Sequence, residues 1–178
     1  MKSILSSIAG LPGGIEVIDA PFPLGEIVRL GLPRSAQLPL IASLKDRTSA
    51  PFLILTDKTR RALDLWDEFN LWLPESNPYF FPEPTALFYE DLPWGENTRR
   101  ERLAALAAIT RAVHEDGRKQ SSPVVFSPAR ALMARTIPPE IYRAYFRTFQ
   151  AGSSANPESI ARDLVSMGYE PANTVSAV

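Results

Sequence analysis

Short apolar runs alternate along this chain with amphipathic stretches of helical length, and that alternation leaves few architectures open. Phe52-Leu53-Ile54-Leu55, set between Pro51 and Thr56-Asp57, reads as a strand buried on both faces. Tyr79-Phe80-Phe81, closed by Pro82 and Pro84, and Val124-Val125-Phe126 read the same way. Ile27-Val28-Arg29-Leu30 is a further expected strand. Between these runs lie helical patterns. One follows the Gly31–Ser35 turn to about Leu44, with Ser35 as expected N-cap and Pro39 in the first turn. A second is expected to be capped by Asp57, with Ala62, Leu65, Trp66, Phe69 and Leu73 as its buried stripe. A third spans about Thr98–His114, with Leu103, Leu106, Ala107, Thr110 and Val113 on one face, and Pro128 opens a short fourth. The order β-α-β-α-β-α-β-α predicts an α/β fold, a parallel sheet with helices on both faces.

The pattern changes at Pro138-Pro139. Tyr145, Arg147 and Phe149 alternate with Phe146, Thr148 and Gln150, which predicts a strand whose open edges favour self-association. Asn156-Pro157-Glu158 starts a helix with Ile160, Leu164 and Val165 inward, closed by Gly168. A last strand is expected near Thr174–Val178. The division predicted is 1–140 for the sheet domain and 141–178 for the beginning of a second, small α+β subdomain.

Composition closes several routes to function. The chain has no Cys, so thiolate metal sites, disulfides and a Cys nucleophile are excluded, and its one histidine, His114, rules out a multi-His metal site. Net charge is −1, which disfavours electrostatic binding of nucleic acid by the chain as a whole. The apolar run Ile4, Leu5 and Ile8 behind Lys2 is too short for a signal peptide or a spanning helix, and the expected location is the cytoplasm. Arg99, Arg100 and Arg102 read as a solvated helix face, and Phe80, Phe81, Phe88, Tyr89 and Trp94 as core and loop packing rather than a base-stacking platform.

One stretch carries a chemical question. Gly31-Leu32-Pro33-Arg34-Ser35-Ala36-Gln37-Leu38 lies between an expected strand and a helix, where a phosphate loop of pattern G-x-x-x-x-G-K-[ST] would sit. Gly31 matches the first position. The second glycine is Ala36, the lysine is Gln37, and the magnesium-binding hydroxyl is replaced by Leu38. A motor also needs an acidic residue at the end of a buried strand. Asp67-Glu68 falls inside a helix, Glu90-Asp91 in the aromatic loop, and Val124–Phe126 runs into Ser127-Pro128.

Several segments taken together resemble the N-terminal region of bacterial transcription-repair coupling factors (the Mfd family). Phe81-Pro82 and Leu87-Phe88-Tyr89-Glu90 resemble their "FP-x-WETLPYE" segment, with Pro84 in place of the Trp. Glu101–Leu106 matches their "ERLAAL" helix, and Val124-Val125 with Pro128–Met133 is similar to their "VV-x-x-PVRALLQ" strand and helix. Pro138-Pro139-Glu140 and Leu164–Glu170 continue in the same order, so the resemblance covers about residues 25–178. It implies a motor-like subdomain similar to the UvrB protein of the bacterial excinuclease, with a degenerate nucleotide site, interrupted by a small subdomain that binds the UvrA protein of the same excinuclease. That family's "GE[FY]-x-x-RG" stretch would follow Val178, so the second subdomain is expected to be incomplete. The function implied is non-catalytic recruitment of UvrA in nucleotide excision repair, with no cofactor, no metal and no direct contact with DNA. The alternatives are an active P-loop ATPase or helicase domain, or a DNA-binding module.

Overall fold

The computed structural model describes residues 2–9, 25, 27, 29–84, 94–114, 122–147, 151–152 and 154–172. The chain divides into two compact units, Met1–Thr136 and Ile137–Val178.

The first unit is α/β. Its elements run α1 (Lys2–Ala9), α2 (Arg34–Arg47), β1 (Phe52–Thr56), α3 (Thr59–Trp72), a single 3-10 turn at Pro74–Ser76, β2 (Tyr79–Phe80), α4 (Glu96–His114), β3 (Val124–Pro128) and α5 (Ala129–Met133). The strands form a parallel sheet in the order β1-β3-β2. Phe52 lies level with Val124 and Thr56 with Pro128, while Tyr79 lies level with Val125. Parallel strands need long crossovers, and α3 and α4 supply them.

The pleat sends alternate side chains to opposite faces and makes two cores. On one face Phe80, Val124 and Phe126 meet Leu5 of α1, Leu38 and Ala42 of α2, and Ala62, Phe69 and Leu73 from the α3 segment. Phe69 and Phe126 are tilted ring on ring, with centroids 5.3 Å apart. On the other face Phe81 and Val125 pack with Ala105 of α4 and Ala131 of α5. β3 is central and buried at every residue, as its apolar run predicts. The Trp66 indole N–H donates to Pro78 O at 2.8 Å, tying α3 to the start of β2.

Several expectations need correction. β1 is not buried on both faces: Leu53 is 53% and Leu55 50% exposed, because β1 is an edge strand and the helix on that face, α4, packs on β2. Ile27, Arg29 and Leu30 form no strand, and all three are exposed (Val28 lies outside the described residues). Neither Ser35 nor Asp57 is an N-cap; Pro33 and Lys58 hold those positions, and neither makes a side-chain cap. Pro39 lies inside α2, beyond its first turn.

In the second unit Pro139–Tyr145 is helix α6 where a strand was expected to begin, and Phe146 and Arg147 are not strand either. The local chemistry accounts for this. Pro139 suits the first helical position, Glu140 the positive N-terminus and Arg143 the last turn. Tyr142 and Phe146, four residues apart, stack with centroids at 5.7 Å. α7 (Pro157–Ser166) is capped as expected: the Asn156 side chain accepts from Glu158 N–H at 2.9 Å. Gly168, with φ of 92°, closes it, and Tyr169 N–H reaches Leu164 O at 3.1 Å. Ile160 is only half-buried, and Leu164 and Val165 are exposed rather than inward. The expected strand at 174–178 lies outside the described residues, as do 115–121 and Phe149.

Candidate functional site at the turn before α2 and the sheet edge

In α/β sheets ligands bind beyond the carboxyl ends of the strands. Here that edge carries Thr56, the residues that follow β2 from Phe81 to Glu83, and Ser127-Pro128. The Gly31–Leu38 turn is tied to it through α3. The Arg61 guanidinium, in the first turn of α3, donates to Gln37 Oε1 at 3.0 Å, and the Gln37 amide N–H donates to Leu32 O at 3.4 Å. The side chain at the lysine position therefore links its own turn to the neighbouring helix. Leu38, at the hydroxyl position, is 1% exposed and belongs to the core with Phe69 and Phe126. Ala36 N–H closes the turn on Pro33 O at 3.0 Å. A Cβ at Gly31 would meet no heavy atom within 4 Å, so nothing approaches closely enough to require glycine there.

Two residues matter here that the sequence analysis did not place in a site. Glu83 follows β2, the place where a motor would hold a carboxylate. Its Oε1 accepts from the Thr59 hydroxyl, and its Oε2 lies 3.7 Å from Arg130 Nε. It joins the starts of α3 and α5. Among the described residues no group of three or more His, Cys, Asp or Glu side chains could hold a metal.

The second is Arg102, which is not on a solvated face. It is 2% exposed, and its Nη1 donates to Pro82 O at 2.7 Å and Ala131 O at 3.2 Å. The guanidinium lies over Phe81 at 4.0 Å and Trp94 at 4.7 Å from the ring centroids, and Nη2 is buried with no hydrogen-bond partner. Burial pushes its pKa below the usual guanidinium range. The buried residues of α4 are Thr98, Arg102, Ala105 and Ala108; of the expected stripe, Leu106 packs half-buried against the second core, Ala107 and Thr110 are half-buried, and Leu103 is exposed (the side chain of Val113 lies outside the described residues). The signal was the small residues at helical spacing. Alanines let α4 approach the sheet closely, and the long arginine then reaches past its end. Arg99 and Arg100 are exposed as expected. Phe80 and Phe81 are buried on opposite faces of the sheet, as core packing requires; Phe88 and Tyr89 lie outside the described residues.

This edge therefore consists of side chains engaged with one another. The chain is similar to a transcription-repair-coupling factor. The match is to that protein of Bacillus subtilis (strain 168), with 24% identity over 154 residues, covering 86% of this chain. The chain spans only 12% of the length of that relative. No family model matches. No helix among the described residues is long and apolar enough to cross a membrane.

Proposed function

We propose that this chain is a non-catalytic protein-contact region of a factor acting in transcription-coupled nucleotide excision repair in the cytoplasm, and that it contributes to recruitment of the excinuclease protein UvrA. The observation that carries the reading is the joint one at Gln37 and Leu38. The chain is similar over 86% of its length to a coupling factor, and the two positions a phosphate loop needs most are spent on a helix tie and a core contact. Phosphate binding at such a turn needs free N–H groups and a lysine charge. Gln37 carries no charge, and a lysine there would meet Arg61 as a like charge.

Titration with Mg·ATP, followed by tryptophan fluorescence and by phosphate release, tests this. No saturable change and no release above blank are expected. Turnover would establish the alternative, an active P-loop ATPase. A DNA-shift assay across a salt series should show no salt-dependent complex, given the net charge of −1. Contact with UvrA by this chain alone is expected to be weak by calorimetry, because α6 and α7 of the second unit bury no residue that would hold a rigid contact surface. Tight binding would relocate the contact to the first unit.

A further inference from the structure

No further inference is drawn: the strongest candidate, the buried Arg102 guanidinium set between α4, the end of β2 and α5, leaves Nη2 without a hydrogen-bond partner, but the carbonyls of Pro82 and Ala131 and the rings of Phe81 and Trp94 already account for its position, and nothing in the structure shows a ligand that Nη2 would meet.

Discussion

Arg102 shows how much one side chain decides. Its guanidinium donates to the carbonyls of Pro82 and Ala131 and lies over the rings of Phe81 and Trp94. Arg102→Met keeps much of the volume but leaves both carbonyls without their donor. Each buried unsatisfied group costs about 1–3 kcal/mol, so a loss of about 2–6 kcal/mol in urea unfolding is expected. Arg102→Lys should recover only part of this, since an ammonium has no planar fork to stack on the rings while donating to both carbonyls. A variant as stable as wild type would show that the buried cation is dispensable. At the phosphate-loop positions the combination Ala36→Gly, Gln37→Lys and Leu38→Thr restores the loop pattern but takes Leu38 out of the core. It should lower stability by about 2–5 kcal/mol, by analogy with large-to-small core changes. It should not release phosphate, because Glu83 is already engaged by Thr59 and Arg130.

Among the elements, β3 holds the first unit together. It is paired on both edges and buried on both faces, and Phe126 touches the core shared by α1, α2 and α3. Phe126→Ala is expected to cost about 3–5 kcal/mol. The same truncation at Leu53, on the exposed face of edge strand β1, should cost far less. Equal losses at the two positions, measured by denaturant unfolding, would mean that β1 is covered in solution. α6 shows how a local rule is read wrongly. Alternation at Tyr145, Arg147 and Phe149 predicted a strand with an open edge, whereas Pro139, Glu140 and the Tyr142–Phe146 spacing favour a helix. Among the described residues the outer strands of the sheet are β1 and β2.

For the whole molecule, the described elements of the second unit carry amphipathic faces but bury nothing. The first unit has two cores on either side of its sheet. Residues 134–138 between α5 and α6 are without regular structure, and Arg135–Pro138 are exposed. Limited proteolysis should cut there first and release a stable fragment ending near Arg135. One protected fragment running unbroken through residue 150 would mean that the two units share a core.

The continuous runs Phe52–Leu55, Tyr79–Phe81 and Val124–Phe126 were legible as strands, and the Ala62–Leu73 stripe as a helix face. Local apolar pattern and helical period suffice for that, and the unbroken runs with long crossovers fix the parallel α/β class. That Gln37 and Leu38 carry neither the charge nor the hydroxyl of a phosphate loop was equally plain, because it depends on residue identity alone. Which strand lies at an edge was not legible. β1 and β3 share the same apolar pattern, and only the pairing order leaves Leu53 and Leu55 exposed while burying Val124 and Val125. Arg102 and Glu83 were hidden for a related reason. A charged residue is read as solvated until the structure shows which carbonyls, rings and hydroxyls converge on it, and those come from segments far apart in the chain.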